Sequence, residues 1–346
     1  MIQDVLDKVI NGENLTQDEA YNCMNEMMEG KSNEVLISSF LTALRIKNET
    51  IDEITGFANS MRKYSIKVDY TPKTYLLDTC GTGGDTLKTF NISTIASIIA
   101  ATGGVKIAKH GNRSITSKCG GADALERLGV NINNNSKEVE KSIEKSGFGF
   151  IYAPQYHPAL KNIMPIRKML NTRTVFNILG PLTCPAPCNA QVMGIFDPDY
   201  VEPIANVLSN LGTKRAMVFH GFDNNDNPAM DEISIIGKTK VSFLNEGIVD
   251  TKYIRPKDFG YDIVDKKDIM AYDNINDNIQ VIKDIVSNNI KTKADLSKKQ
   301  LCVMNASAIF YTSEIVDSLK EGVNLSEKLL ETGQVYQKLE EIKECS

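Results

Sequence analysis

The sequence is short of the features that mark membrane and secreted proteins. The 346 residues contain no apolar run near the roughly 18 residues that a membrane span needs. The start, Met1 to Asp4, lacks the basic and then apolar segments of a secretory signal. We therefore expect a cytoplasmic protein with no membrane partner. Tryptophan is also absent, which by itself excludes nothing.

Positive charge is scarce as well. The chain has 39 Lys and Arg against 44 Asp and Glu, a formal net charge of −5, and almost no basic runs. Nonspecific nucleic-acid binding draws most of its affinity from positive charge, so we expect no nucleic-acid partner. The 42% hydrophobic and 24% charged content is typical of globular proteins, and the length suits about two domains.

Paired cysteines are nearly missing. The seven cysteines are scattered, which is typical of reduced thiols in a cytosolic protein. Only Cys184 and Cys188 are close, and they could supply half of a zinc site. A tetrahedral site needs two more ligands, and the only histidines, His110, His157 and His220, are far off in sequence.

The N-terminal part, about 65 residues, predicts helices. Thr16-x-x-Glu19 and Thr50-x-x-Glu53 match the capping box that opens a helix. Apolar residues within 36–44 have the spacing of one helical face. Because short helices need a partner surface, we expect a helical bundle that packs on the rest of the chain or on another subunit.

After Pro72 the pattern changes to strands, glycine-containing loops and helices, which is typical of a parallel α/β sheet. The predicted strands are 75–77, 105–108, 148–152, 191–196 and 216–219, and the predicted helices are 93–101, 122–128 and 158–170. A hairpin is predicted over Ile233 to Phe243 with its turn near Gly237. The C-terminal part predicts amphipathic helices.

A glycine-rich loop follows the first of these strands. Its sequence is Asp78-Thr79-Cys80-Gly81-Thr82-Gly83-Gly84-Asp85, and Asn91-Ile92-Ser93-Thr94 then opens a helix. Glycines allow close backbone approach, and the N–H groups at a helix start favour an anion. The loop is either a phosphate cradle or a tight strand-to-helix turn. It matches neither the Walker A motif nor the dinucleotide-binding motif.

A basic segment, Lys109-His110-Gly111-Asn112-Arg113-Ser114, follows the next strand. If a right-handed crossover joins neighbouring parallel strands, both loops emerge at the carboxyl edge of the sheet. Lys109 and Arg113 offer charge, and Ser114 and Ser117 offer hydroxyls, for phosphate oxygens. Each basic residue alone would be a solvated surface charge, but the combination favours an anion site.

Two further segments carry candidate chemistry. Asp231 and Glu232 are adjacent acidic residues, which are common on protein surfaces. In a phosphate-binding protein their carboxylates could bind Mg²⁺ together with phosphate oxygens. The stretches 155–167 and 174–182 mix apolar, aromatic and cationic residues in a way that suits an aromatic acid. We interpret His157 and His220 as structural and leave His110 open between a structural and a functional role.

Together these segments resemble the anthranilate phosphoribosyltransferase family. Six matching segments stand in the family's order and spacing: Gly81-Thr82-Gly83-Gly84-Asp85, Asn91-Ile92-Ser93-Thr94, Lys109-His110-Gly111-Asn112-Arg113, Gly121-Ala122-Asp123-Ala124-Leu125-Glu126, Phe176-Asn177-Ile178-Leu179-Gly180-Pro181-Leu182 and Asp231-Glu232. The resemblance implies transfer of phosphoribosyl from phosphoribosyl diphosphate (PRPP) to the amine of anthranilate in tryptophan biosynthesis. It also implies a helical domain, 1–70 joined by helices near 158–180, hinged to an α/β domain, 71–346, with a mostly parallel sheet, and a homodimer formed through the helices.

The resemblance also implies roles for individual residues. Those implied for PRPP are Gly81, Gly84, Asp85, Thr89, Asn91, Ile92, Ser93, Thr94, Lys109, His110, Gly111, Asn112, Arg113, Ser114, Ser117 and Gly121. Those implied for anthranilate are Gly81, His110, Asn112, Arg167 and Pro181, and those implied for two Mg²⁺ ions are Ser93, Asp231 and Glu232. Cys119 and Gly121 stand where serines often occur, so backbone N–H groups would replace hydroxyls there.

Two alternatives remain at this stage. A pyrimidine nucleoside phosphorylase shares the implied fold and also cleaves a ribosyl bond, but the Asp231-Glu232 pair and the 109–113 segment favour the transferase. A non-catalytic relative that binds nucleic acid should have a basic surface, and the net charge of −5 argues against it.

Overall fold

The predicted capping boxes do begin helices in the computed structural model, which describes residues 1–84, 86–87, 89–113 and 120–346. The Glu19 N–H donates to Thr16 Oγ1 at 3.2 Å and the Thr16 N–H donates to Glu19 Oε2 at 2.7 Å. Thr50 and Glu53 repeat the motif. Glu53 is fully buried, and its other oxygen accepts from the Leu15 N–H at 2.8 Å, which ties two N-terminal helices together.

In the described ranges the α-helices are α1 Ile2–Ile10, α2 Gln17–Met28, α3 Glu34–Lys47, α4 Ile51–Lys63, α5 Ile92–Thr102, α6 Gly121–Arg127, α7 Ser136–Ser146, α8 Ala153–Tyr156, α9 Met164–Leu170, α10 Phe176–Leu179, α11 Val201–Asn210, α12 Ile275–Val286, α13 Lys293–Thr312, α14 Leu319–Glu331 and α15 Gln334–Cys345. Short 3₁₀ helices lie at Pro158–Asn162, Gly180–Thr183, Pro198–Tyr200, Pro256–Phe259 and Lys266–Ile269. None of these helices is long and apolar enough to cross a membrane.

The strands are β1 Leu76–Gly81, β2 Lys106–Gly111, β3 Phe148–Tyr152, β4 Ala190–Gly194, β5 Arg215–Phe222, β6 Pro228–Met230, β7 Thr239–Asn245 and β8 Ile248–Ile254. They form one sheet of order β3-β2-β1-β4-β5-β7-β8, with β6 paired to β5. The first five strands of that order are parallel, and β6, β7 and β8 are antiparallel. The predicted α/β class with a mostly parallel sheet is confirmed.

Both faces of the sheet are covered, as parallel strands require. Successive strand residues alternate between two apolar clusters. Val192 and Met217 join the cluster that contains α5 and α13, whereas Met193 and Val218 join the cluster that contains α1 to α4 and α9 to α11. The N-terminal helices therefore pack against the segment 163–182 and one face of the sheet.

The hairpin predicted over Ile233 to Phe243 is wrong. Residues 233–238 form a buried irregular segment, in which Ser234 Oγ donates to the Phe222 carbonyl at 2.7 Å and side-chain bonds replace a strand ladder. The hairpin joins β7 to β8 instead. Its turn residues, Glu246 and Gly247, have φ of 45° and 87°, as a type I′ turn requires.

Two helical predictions also change. The helix predicted over 158–170 is divided at Ile163, because Pro158 begins a 3₁₀ helix and Pro165 lies in the first turn of α9. The helix α7, which the sequence did not predict, begins at a capping box formed by Asn135 and Glu138.

Candidate active site

The glycine-rich loop leaves the carboxyl end of β1 and is held on three sides. The Thr82 N–H donates to the Gly194 carbonyl at 3.0 Å, and Thr82 Oγ1 accepts from the Phe196 N–H at 2.9 Å. The Gly83 N–H donates to Asp231 Oδ2 at 2.8 Å. Gly83 and Gly84 have φ of 65° and 78°, the left-handed region that favours glycine.

Asp231 packs so closely on this edge that two glycines are required beside it. A Cβ at Gly81 would lie 2.2 Å from Asp231 Oδ2, and a Cβ at Gly194 would lie 1.6 Å from the Asp231 carbonyl oxygen. Burial raises the pKa of the Asp231 carboxyl, while the Gly83 N–H favours its charged form. The loop and Asp231 are therefore one packed unit, and two of the residues predicted to act together do meet.

Lys109 lies at the carboxyl end of β2 with its ammonium group inside the protein. The side chain is buried, and Nζ donates to the Thr79 carbonyl at 2.6 Å and to Ser93 Oγ at 3.3 Å. Burial lowers the pKa of Lys109, and the nearby Cys80, Asp78 and Glu232 oppose that shift. The buried cation therefore stands between β1 and the start of α5, where the sequence predicted an anion site.

Asp78 is a buried residue to which the sequence reasoning gave no role. Its side chain is fully buried, and Oδ1 accepts from the His110 N–H at 3.0 Å. Burial raises its pKa to about 6, against the opposing effects of that hydrogen bond and of Lys109. The carboxyl group thus fixes the backbone of the basic segment to β1.

The start of α5 presents an unpaired hydroxyl. Thr94 is buried, and its Oγ1 has no hydrogen-bond partner among the described residues. A Cβ at Gly121 would lie 3.7 Å from Thr94 Oγ1 and 3.9 Å from Lys109 Cε, so there is room for a side chain at 121. Ile92, predicted as a PRPP contact, has its side chain in the apolar core.

The remaining residues predicted for PRPP are distributed as follows. Thr89 and Asn91 lie in the loop before α5, and Gly111 ends β2. Asp85, Ser114, Ser117 and Cys119 lie outside the described residues.

Arg113 is paired with two acidic side chains of α6. Its guanidinium binds Glu126 through two hydrogen bonds of 2.7 and 2.9 Å and Asp123 through one of 2.9 Å. The two acids lie one turn apart on α6 and present adjacent carboxylates. The Arg113 guanidinium is therefore ion-paired with α6 in this structure, and Asn112 beside it is exposed.

The residues predicted for metal fall into two neighbouring positions. Ser93 and Glu232 line one small cavity with Thr79, Cys80 and Asn305, and Asp231 faces the glycine loop. In the described part of the chain, no three His, Cys, Asp or Glu side chains form a ready metal cluster. Mg²⁺ commonly takes one or two protein carboxylates and completes its shell with phosphate oxygens and water, so this donor set fits it.

Arg167 lies on α9 and is half-buried without a counterion. It forms no ion pair with any other described residue, and its guanidinium carbon lies 5.2 Å from the centre of the Phe176 ring. Burial lowers its pKa. A half-buried, unpaired guanidinium is suited to a ligand carboxylate.

The two histidines of this region are buried together and neutral. The ring centres of His110 and His157 are 5.1 Å apart, and burial lowers their pKa values to about 3 and about 4. Neither Nε2 has a hydrogen-bond partner among the described residues. His220 is similar: its Nδ1 binds the Ile195 carbonyl at 2.7 Å, and its Nε2 also has no partner among the described residues. Pro181 is held through its carbonyl by Gln191 at 2.7 Å.

Arg173 is a second residue that the sequence reasoning missed. Its guanidinium donates to the Gly84 carbonyl and lies 4.3 Å from the centre of the Phe196 ring. It thus connects the segment after α9 to the glycine loop. The only feature of the sequence that pointed to Arg173 is its position directly before the 174–182 stretch.

The helical bundle and the α/β domain are those of the glycosyl transferase family. Residues 3–65 match the helical bundle domain of the glycosyl transferase family, and residues 73–336 match its a/b domain. Within that class, the chain belongs to the anthranilate phosphoribosyltransferase family, and the resemblance seen in the sequence is confirmed.

Three relatives show the extent of the similarity. The anthranilate phosphoribosyltransferase of Methanosphaera stadtmanae is 54% identical over 343 residues, which cover 99% of this chain and 98% of the relative. The crystal structure of the Thermus thermophilus enzyme is 35% identical, with a TM-score of 0.89 over 99% of both chains. The Saccharomyces cerevisiae enzyme in complex with PRPP and Mg is 26% identical, with a TM-score of 0.87 over 99% of this chain and 97% of that one.

Proposed function

We propose that this chain transfers the phosphoribosyl group of PRPP to the amine of anthranilate, giving N-(5-phosphoribosyl)anthranilate and diphosphate in tryptophan biosynthesis. The observation that carries this is the joint packing of the Gly81–Gly84 loop and Asp231, at the sheet edge that also holds Lys109. The yeast relative bound to PRPP and Mg supports the assignment.

The PRPP side of the crevice is assigned to the ends of β1 and β2 and the start of α5. The Lys109 ammonium and the unpaired Thr94 hydroxyl offer direct contacts to phosphate oxygens. The other residues proposed to line the PRPP site are Gly81, Gly84, Asp85, Thr89, Asn91, Ile92, His110, Gly111, Asn112, Arg113 and Gly121. Ser114 and Ser117 are proposed to add hydroxyl groups. In this structure Glu126 and Asp123 hold the Arg113 guanidinium, and the Arg113 N–H donates to Asn112 Oδ1 at 2.7 Å, so binding of PRPP to Arg113 would replace one of these contacts.

Ser93, Asp231 and Glu232 are proposed to hold two Mg²⁺ ions on the diphosphate of PRPP. Two ions are supported by the two separate positions, one at the cavity shared by Ser93 and Glu232 and one at Asp231 beside Gly83. When bound, Mg²⁺ supplies positive charge that stabilises the negative charge of the departing diphosphate.

Anthranilate is assigned to the side of Arg167, whose guanidinium would grip the carboxylate through two hydrogen bonds. The path of anthranilate into the site is proposed to be lined by Gly81, Asn112, His110 and Pro181. His110 stays uncharged near pH 7, because burial holds its pKa at about 3. The aromatic amine is already neutral, so the protein needs no strong base and acts by aiming the nitrogen at the ribose C1 atom.

The chemistry explains why cations surround the diphosphate. Cleavage of the C1–O bond builds positive charge on the sugar and negative charge on the leaving group, so fixed cations at the leaving group lower the barrier. Lys109 is already fixed by Thr79 and Ser93 and need not reorganise.

Arg173 is proposed as a positioning residue for the loop. It binds the Gly84 carbonyl, and Phe196, on which it stacks, also holds Thr82. A lysine could donate to the carbonyl but lacks the planar group that stacks on Phe196.

We propose that the chain has two domains. The helical domain comprises residues 1–70 and is joined by helices near 158–180, the α/β domain comprises residues 71–346, and the crevice between them closes on the substrates.

A homodimer through the helical domain is supported by the exposed apolar residues Val35 and Ile46 on α3, at 77% and 78% exposure. A cytoplasmic location, without membrane or nucleic-acid partners, agrees with the acidic composition and the free cysteines among the described residues.

The loss of anthranilate fluorescence tests the proposed reaction. On mixing with the protein, fluorescence should fall only when anthranilate, PRPP and Mg²⁺ are all present. Cleavage of uridine or thymidine by inorganic phosphate, without anthranilate consumption, would favour the nucleoside phosphorylase. A folded protein that performs neither reaction contradicts the proposal.

A further inference from the structure

The segment Cys184-Pro185-Ala186-Pro187-Cys188 has no role in the reaction above, yet it brings two thiols into contact. Their sulfur atoms lie 3.8 Å apart. Two prolines restrict the backbone between them, and the Cys188 N–H donates to the Ala186 carbonyl at 2.8 Å. The backbone of this short segment therefore holds the two thiols close together.

The ends of this segment are fixed to the fold. Before it, Arg62 Nε donates to the Leu182 carbonyl at 2.8 Å. After it, the Asn189 N–H donates to the Leu76 carbonyl on β1 at 3.1 Å. Both flanks are therefore anchored, and closing a disulfide brings the two sulfurs from 3.8 Å to about 2.05 Å.

Positive charge lies next to the thiols. Burial lowers the pKa of Arg62, and Cys184 and Cys188 are the main groups that oppose this shift. The Arg62 guanidinium donates through Nε to the Leu182 carbonyl, two residues before Cys184, and through Nη1 to the Leu211 carbonyl at 3.2 Å. Lys67 also interacts with Cys184. Cationic neighbours stabilise thiolates, which are the reactive form of cysteine.

The two cysteines differ in accessibility. Cys184 is 8% exposed, its thiol faces the Ala108 carbonyl at 3.8 Å, and burial raises its pKa well above the ordinary value. Cys188 is half-buried. A reagent from solution therefore meets Cys188 first, with Cys184 in place for a second, intramolecular step.

We propose that Cys184 and Cys188 form a redox-active dithiol that closes to a disulfide by exchange with a small-molecule disulfide such as oxidised glutathione. The Cys188 thiolate attacks one sulfur of the reagent and releases one glutathione thiolate, which takes up the Cys188 proton. The Cys184 thiolate then attacks the Cys188 sulfur and releases the second glutathione, which takes up the Cys184 proton. The protein loses two electrons and two protons, and the reagent is reduced to two thiols.

Mass spectrometry of the native protein tests this proposal. The folded chain is incubated with excess oxidised glutathione, its remaining thiols are alkylated under denaturing conditions, and the peptide with residues 184–188 is weighed. We expect that peptide to be lighter than its reduced form by two hydrogen atoms and to carry no alkyl group. Dithiothreitol should restore both thiols. Cys23, which is fully buried, should remain a thiol and serve as the internal control.

Two serine variants separate the steps. Cys184→Ser should stop at a stable glutathione adduct on Cys188, and Cys188→Ser should leave Cys184 unmodified over the same time. The proposal is overturned if the wild-type chain keeps both thiols, if it accumulates the Cys188 adduct without closing the disulfide, or if the disulfide forms only after unfolding. A metal ion that co-purifies on the two sulfurs and blocks exchange until it is chelated would also overturn it.

Discussion

Replacing Gly81 with alanine should impair the crevice through a single steric contact. The new Cβ would lie 2.2 Å from Asp231 Oδ2, where ordinary contacts begin at 3.4 Å. The Asp231 carboxylate must therefore retreat by about 1.2 Å, the difference between these distances. Gly81 itself does not have a positive φ, so the alanine adds no backbone strain.

The size of the effect follows from the hydrogen bond that this movement breaks. Asp231 Oδ2 accepts from the Gly83 N–H at 2.8 Å. A hydrogen bond to a charged group contributes about 1.5–3 kcal/mol, which corresponds to a change of roughly 10- to 150-fold in rate. We expect kcat/KM for PRPP to fall within this range and the Mg²⁺ concentration for half-maximal activity to rise.

Gly180→Ala is the matched control, because Gly180 has no proposed contact with a substrate or metal. A Cβ at Gly180 would have no heavy atom within 4 Å, and Gly180 does not have a positive φ. We expect its kcat/KM to stay within about twofold of the unmodified chain, as for substitutions that disturb no packing. Both variants are assayed by anthranilate fluorescence, with thermal unfolding to confirm that they fold.

Two results would refute this reasoning. A folded Gly81→Ala variant with unchanged kcat/KM would show that the position of Asp231 does not matter for the reaction. An equal loss in Gly180→Ala would show that an added methyl group impairs the chain whether or not it displaces Asp231.

Three further predictions concern the charged and titrating groups. Arg167→Ala should raise the KM for anthranilate far more than the KM for PRPP, because it removes the proposed carboxylate contact. Asp231→Asn combined with Glu232→Gln should abolish Mg²⁺-dependent turnover. Burial holds the pKa of His110 at about 3 and that of His157 at about 4. In the unfolded chain both rings have the ordinary histidine pKa of about 6.5, so below that pH unfolding is accompanied by proton uptake. The free energy of unfolding should therefore decrease from pH 6.5 towards pH 4, by about 1.4 kcal/mol per pH unit for each ring, and replacement of both by Asn should flatten this dependence.

Each of these has a contrary outcome. Equal rises in both KM values for Arg167→Ala would remove its assignment to anthranilate. Wild-type turnover in the double carboxylate variant would exclude the proposed metal positions. Unfolding curves whose pH dependence is the same with and without the two histidines would mean that their burial does not keep them neutral.

The elements that sequence predicted well depend on local interactions. The helix starts at Thr16 and Thr50 are set by residues three positions apart, and the glycine loop is set by a strand followed by residues with special backbone conformations. The order of the loops along the chain also predicted that the glycine loop and the segment from Lys109 share the carboxyl edge of the sheet. Lys109 Nζ accordingly donates to the Thr79 carbonyl on β1.

The features that sequence did not predict depend on tertiary partners. Nothing near Asp78 in the chain shows that its carboxyl is buried against the His110 N–H. Nothing near Arg113 in the chain shows that its guanidinium pairs with Glu126, which lies on α6. The apolar residues of 233–238 have strand-like composition, but Ser234 satisfies the backbone with side-chain bonds inside an irregular segment.

The most direct test of the proposed site is a crystal structure of the chain with PRPP and Mn²⁺, which replaces Mg²⁺ and can be located by its anomalous scattering. We predict two anomalous peaks per chain, in contact with Ser93, Asp231 or Glu232 and with the diphosphate, which lies between the Gly81–Gly84 loop and Lys109. Peaks remote from Asp231 and Glu232, or a diphosphate bound away from that loop, would contradict the account.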